Sequence, residues 1–283
     1  MINADGYNIS TTIHPMWRKN ARDNDGDGKL SLADGVDLNR NFDFYFTSSG
    51  SSDPASKYYR GISPFSESES KMMADLVEQN KFIFSFTYHS AESRIYYPWR
   101  NVGLDNTVYS PGDKLLNQLA ENIAGRIKCI NEDYFYEPVR NIRNASYTTN
   151  YYYGILGTID FMVELGKYDH VYPAKQLEKI FEHNLPGALY LLDRSLGPGL
   201  MGKVTDHNTG KPLHAVIKIL EFDNSETSPR KSHPGTGYYF RVLDPGIYNI
   251  EISAENMQTR IIKNVRVNDT GWTEFNIRLN SVK

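Results

Sequence analysis

The spacing of apolar residues changes once along this chain, and that change limits how it can fold. Up to about residue 197, strand-like and helix-like patterns alternate. KFIFSFTYHS (81–90) is dense in aromatics, and GTIDFMVELG (157–166) is a second apolar run closed by Gly166; both read as short buried strands. SESESKMMADLVEQN (66–80) opens on serines and acids and carries Met72, Met73, Leu76 and Val77 as a helical stripe. SPGDKLLNQLAENIAGRIKCI (110–130) places Leu115, Leu116, Leu119, Ile123 and Ile127 on one helical side. A third helical pattern covers 174–196, with Pro186 as a kink or break. Residues 1–70 read as loop-rich. This alternation predicts an α/β domain over 1–197. After LGPGL the pattern becomes short alternating strands, with an NTG turn in the first pair and a DPG turn in the second. A small all-β sandwich is expected over 198–283.

The chain has 283 residues, 40% of them hydrophobic, which is enough for a sizeable core in two domains. A formal charge of -3 gives no electrostatic reason to expect nucleic acid as a partner. The single cysteine, Cys129, excludes an internal disulfide. No apolar run reaches the roughly 20 residues of a membrane span, and MINADGYNIS lacks the charged start and apolar core of a signal peptide.

GVDLNRNF (35–42) sets Asn39 beside Arg40. The planar guanidinium fork matches a carboxylate, and an adjacent amide adds a donor. Alone, such a dipeptide reads as a structural arginine–aspartate pair. Its company alters that reading. Trp17-Arg18-Lys19 stands upstream, the first strand ends on His89-Ser90 with YYPW following, and the second carries Glu164 near its end. This set, in this order, resembles the zinc metallocarboxypeptidases, also called funnelins. The C-terminal strands resemble the transthyretin-like module that follows the catalytic domain in the carboxypeptidase N/E branch.

The resemblance implies a mixed-sheet carboxypeptidase-type domain and assigns roles residue by residue. His89 would be a zinc ligand, neutral imidazole suiting the metal. Asn39 and Arg40 would clamp the terminal carboxylate of a peptide or protein substrate. Arg18 would polarise the scissile carbonyl. Glu164 would be general base and then acid. Tyr147 is the candidate for the tyrosine that caps the substrate, with Tyr151, Tyr152 and Tyr153 as packing residues. Arg100, after YYPW, stands where related enzymes carry an acidic residue that selects basic side chains; in the pocket it would favour acidic or polar ends, and otherwise it is an exposed loop arginine.

The family's other two zinc ligands form an HxxE motif upstream of the Asn–Arg pair, and no such motif lies among residues 1–38. The HxxE at His89–Glu92 reuses His89, so Glu92 reads as a decoy. NADG (3–6) resembles a segment inside the family's catalytic domain. An N-terminally truncated catalytic domain is therefore expected, inactive as it stands, with poor solubility; a degenerate homologue is the rival reading. Two other functions stay open: a peptide-terminus binder without metal, and a deacylase or amidase of the same superfamily. The resemblance also implies a secreted or periplasmic parent protein. Finally, Asp23, Asp25, Asp27, Ser31 and Asp34 match the oxygen spacing of a calcium loop, although aspartate replaces the usual glutamate at its last position. The alternative there is a solvated acidic turn. His207, His214 and His233 are scattered through the sandwich and suggest no metal.

Overall fold

The computed structural model describes residues 1–102, 107–130, 133–166 and 172–282. They form two compact units, Met1–Tyr109 with Leu116–Ala188, and Ser110–Leu115 with Leu189–Lys283.

The first departure from expectation is at the start. Helix α1 (Ala4–Thr12) forms in the stretch read as loop. It buries only Gly6 and Ile9, so no apolar stripe announces it. Its signal is a cap: Asn3 accepts from the Gly6 amide at 3.0 Å. The Asn3 amide also donates to the Arg18 and Lys19 carbonyls, both at 3.2 Å, which ties the helix to the segment carrying Arg18.

The elements that follow are α2 (Ser68–Asn80), β1 (Phe84–Ser90), β2 (Arg94–Val102), β3 (Thr107–Tyr109), α3 (Asp113–Ala124), β4 (Glu137–Ile142), α4 (Thr148–Tyr151), β5 (Ile159–Leu165) and α5 (Ala174–Arg194), of which α3 begins and α5 ends in the second unit. The sheet runs β1-β5-β2-β3, with β4 also paired to β2. β1 and β5 are parallel, and β2 is antiparallel to β5, so the sheet is mixed. The register sets His89 opposite Glu164 and Glu164 opposite Arg94. Ile95, Tyr97 and Trp99 alternate along β2 onto one buried face. The stripe of Leu115, Leu116, Leu119, Ile123 and Ile127 is buried as its spacing predicts.

Helix α5 continues through Pro186, so of the expected kink or break the break does not occur. Proline costs the helix one backbone bond. Packing favours continuity here: Gly187 lies so close to Ile127 that a Cβ would come within 2.7 Å of it.

The second unit contains β6 (Gly199–Asp206), β7 (Val216–Ile219), β8 (Tyr238–Val242), β9 (Gly246–Ser253), β10 (Arg260–Val267), β11 (Trp272–Glu274) and β12 (Ile277–Leu279). Two sheets, β10-β9-β7 and β11/β12-β6-β8, close on one core that includes Leu200, Val204, Ile217, Ile250, Val267 and Leu279. The strands flanking the NTG turn, β6 and β7, belong to different sheets, and so do β8 and β9 around the DPG turn. Both turns are therefore crossings between sheets. No described helix is long and apolar enough to cross a membrane.

Candidate active site

The site is built around Asp37. This residue is buried, and its side chain caps a short 3-10 turn (Leu38–Arg40) by accepting from the Asn39 amide at 3.1 Å. Its other oxygen accepts from Arg18 Nε at 2.6 Å and lies 3.9 Å from an Arg40 guanidinium nitrogen. One carboxylate thus steadies both arginines. Gly35 makes the approach possible: it has φ +77, and a Cβ there would lie 2.3 Å from the Asn20 carbonyl.

Asn39 is buried, and the backbone fixes its amide orientation. Its Oδ1 accepts from the Thr148 amide at 3.0 Å, so its Nδ2 faces His89 Nε2 and Met162 Sδ, each at 3.5 Å. Arg40 donates to the Asn39 carbonyl at 2.8 Å. Its guanidinium lies between two rings, 4.6 Å from the Tyr147 centroid and 5.4 Å from that of Tyr58. Arg18 lies 5.6 Å from the Tyr58 centroid.

His89 and Glu164 stand at the C-terminal ends of neighbouring parallel strands, facing the same side as register partners. Burial, then the Arg18 charge, holds the His89 imidazole down at about 4, with Asp37 pulling the other way, so the ring is neutral near pH 7. Burial and the nearby Glu92 carboxylate push Glu164 up to about 7, against the opposing pull of Arg18. Burial also disfavours charge on Arg18, but Asp37 and Glu164 outweigh it and keep the guanidinium above its ordinary value. Arg18, Asn39, Arg40, Tyr147, His89 and Glu164 therefore form one linked group.

Arg100 does not join it. β2 runs antiparallel to β5, and Arg100 lies six residues beyond Arg94, about 20 Å along the strand. It is exposed and pairs with Tyr109 and Ile142 at the far end of the sheet. The expectation that it lines the pocket is corrected by strand direction, which YYPW does not reveal. Asp34 likewise leaves the acidic loop's cluster. Its two oxygens accept from the Asn24 and Ser31 amides, at 2.9 Å and 2.7 Å. Asp23, Asp25 and Asp27 remain exposed, with ligand atoms within 4.8 Å of one another.

Three contributors were not read from the sequence. Asp37 had a signal, since an aspartate two residues before Asn39 is a capping spacing. Tyr58 had none, because a distant loop delivers it. Glu92, read as a decoy, acts on Glu164 through its charge.

A catalytic zinc needs three protein ligands. Among the described residues, Asp23, Asp25 and Asp27 are the one grouping of three that could hold a metal, and it does not include His89. The donors among the described residues do not by themselves fit a catalytic zinc.

The zinc carboxypeptidase family profile matches residues 1–187. The chain is 31% identical over 206 residues to carboxypeptidase B of Bos taurus, covering 68% of this chain and 46% of that protein. It is 37% identical over 106 residues to carboxypeptidase B of Helicoverpa zea, covering 36% of this chain and 24% of that one. The crystal structure of carboxypeptidase A from Helicoverpa armigera superposes with a TM-score of 0.55 at 24% identity, over 67% of this chain and 48% of the other. The chain thus belongs to the zinc carboxypeptidase family and has the mixed α/β fold of its members. It spans about half the length, or less, of these relatives.

Proposed function

We propose that these residues carry the substrate-recognition and acid–base parts of a metallocarboxypeptidase site, one that removes C-terminal residues from peptides. The observation that carries this reading is the Arg18–Asp37–Arg40 linkage beside Asn39, His89 and Glu164. A terminal carboxylate meets the Arg40 fork and the Asn39 Nδ2, which restricts recognition to a chain end. Tyr147 covers Arg40 and so closes over the bound residue. Arg18 stands to stabilise an oxyanion on the scissile carbonyl. Glu164, poised near neutrality, takes a proton from water and returns it to the leaving amine.

His89 supplies one zinc ligand in this reading, and two more must come from groups other than the described residues. The 283-residue chain alone is then expected to bind zinc well below one per molecule and to release C-terminal residues at background rate. Metal analysis and a peptide-release assay test this; stoichiometric zinc with chelator-sensitive turnover would overturn it. Recognition is tested separately, by calorimetric titration with an N-acylated dipeptide and its C-terminal amide. The free acid is expected to bind at least about tenfold tighter, a difference that Arg40→Gln abolishes. Equal binding of acid and amide would remove the clamp, and a deacylase or amidase reading would gain. Carboxylate binding that persists without turnover, even in a zinc-loaded form, would favour a pure peptide-terminus binder.

We further assign the C-terminal sandwich as transthyretin-like and the protein as secreted or periplasmic, both on resemblance. Calcium at Asp23, Asp25 and Asp27 is supported by their proximity alone; absence of heat on calcium titration would remove it.

A further inference from the structure

The second unit carries a cleft of about 630 Å³ on its own surface. On β6, Lys203 and Thr205 alternate with the buried Gly202, Val204 and Asp206, and His207 follows the strand's end, so the cleft lies on the sheet face away from the core. Lys203 is the register partner of Tyr238, and its Nζ sits 4.5 Å from the centre of that ring. Thr205 pairs with Arg278 on β12, and Arg260 donates to the Arg278 carbonyl at 2.8 Å. Glu274 accepts from the Asn276 side-chain Nδ2 at 2.7 Å, and Asn276 Oδ1 accepts from the Lys203 backbone amide at 2.9 Å. Three cations thus face one carboxylate, a local charge of +2 on a chain whose total is -3.

We propose that this cleft binds a short acidic saccharide of the uronic-acid type. Its size falls within the roughly 300–1,000 Å³ of ligand clefts. The Lys203, Arg260 and Arg278 heads suit carboxylates. Glu274 distinguishes a sugar from an acidic peptide. Sugar hydroxyls donate to a carboxylate, and the neighbouring Asn276, Thr205 and Tyr238 both donate and accept. A run of aspartate or glutamate side chains brings no such donors and is repelled by Glu274. Tyr238, half exposed with Lys203 Nζ over its ring, adds its hydroxyl to the polar lining of the cleft.

The test uses the full chain and calorimetric titration with trigalacturonic acid, neutral cellotriose and a glutamate-rich hexapeptide. The acidic trisaccharide is expected to bind at least about tenfold tighter than either comparator. Raising salt to about 1 M, where the screening length falls to about 3 Å, is expected to weaken it. Lys203→Gln and Arg278→Gln are each expected to cost about fivefold or more. Both side chains are exposed, so the thermal midpoints are expected to hold, and each variant stands as a check on the other. Arg40→Gln is expected to leave saccharide binding intact, which separates this cleft from the carboxylate clamp of the first unit. Absence of binding, affinity unchanged from wild type in both cleft variants, preference for the peptide, or loss with Arg40→Gln would each overturn the proposal.

Discussion

Asp37 is the residue on which the candidate site turns, and its removal has a calculable direction. Asp37→Ala strips the partner from Arg18, frees Arg40 and uncaps the turn that carries Asn39. Buried pairs cost most when one member is removed, and the partial exposure of Arg18 reduces that cost. Urea unfolding is expected to show a loss of about 1–3 kcal/mol. Binding of the N-acylated dipeptide should weaken about tenfold, since the fork is no longer pre-oriented. Unchanged unfolding and binding would show that Asp37 organises nothing. Glu164 offers a second measurement. Carbon-detected NMR titration is expected to find its carboxyl near 7, lower in Glu92→Gln and higher in Arg18→Gln, following the charges around it. A value near the ordinary glutamate range would refute its burial. The residues that the structure brings together were named through their resemblance to a family's motif set, in which arginine, asparagine, histidine and glutamate carry the chemistry themselves. The residues that hold them, Asp37 and Tyr58, were not, because their importance depends on contacts between segments distant in sequence.

At the scale of the elements, β1 and β5 hold more than the site. Asp160 of β5 is fully buried and accepts from Ser85 and Thr87 of β1 and from Thr149, at 2.6 to 3.0 Å. Burial still pushes its carboxyl up to about 6, and those hydroxyls oppose the rise only in part. An acid raised above its unfolded value of about 3.9 binds its proton more tightly when folded. Its contribution to stability is complete below about pH 4 and fades as pH rises through about 6. Asp160→Asn removes that dependence. The stability difference between wild type and variant is expected to move by about 3 kcal/mol against the wild type between about pH 4 and pH 7. Urea midpoints across that range check it, and a flat difference would contradict it. The strands β1 and β5 were readable because both are apolar runs with glycine or polar bounds. β2 and β4 were not, since Pro98 and Pro138 and their charged residues mask the pattern. Helix α1 and the passage through Pro186 were decided by a single cap and by packing, which periodicity does not register.

At the scale of the whole molecule, large apolar side chains remain in contact with water. On α5, Leu177, Phe181 and Leu185 recur every fourth residue and are 40% to 66% exposed; Met72 and Leu76 of α2 are exposed as well. Patches of this kind mark association surfaces or aggregation hazards. Light scattering on the purified chain is expected to show concentration-dependent self-association, reduced by Phe181→Glu; a monodisperse monomer at all concentrations would contradict this. The change in apolar spacing near residue 197 marks where the all-β pattern begins but not the compact units, which divide between Ala188 and Leu189 and place Ser110–Leu115 with the second. The wiring of the second part was not legible, because NTG and DPG promise turns without saying which sheet receives the next strand. That wiring has a consequence of its own. One sheet takes its strands from 199–206, 238–242 and 272–279, the other from 216–219, 246–253 and 260–267. The chain is stitched back and forth, like thread through two layers of cloth. A protease that cuts at the exposed Asn224 and Ser225, between β7 and β8, frees neither layer, because each piece still holds strands in both. Such a nick would go unseen in the folded protein and appear only once the fragments are denatured apart.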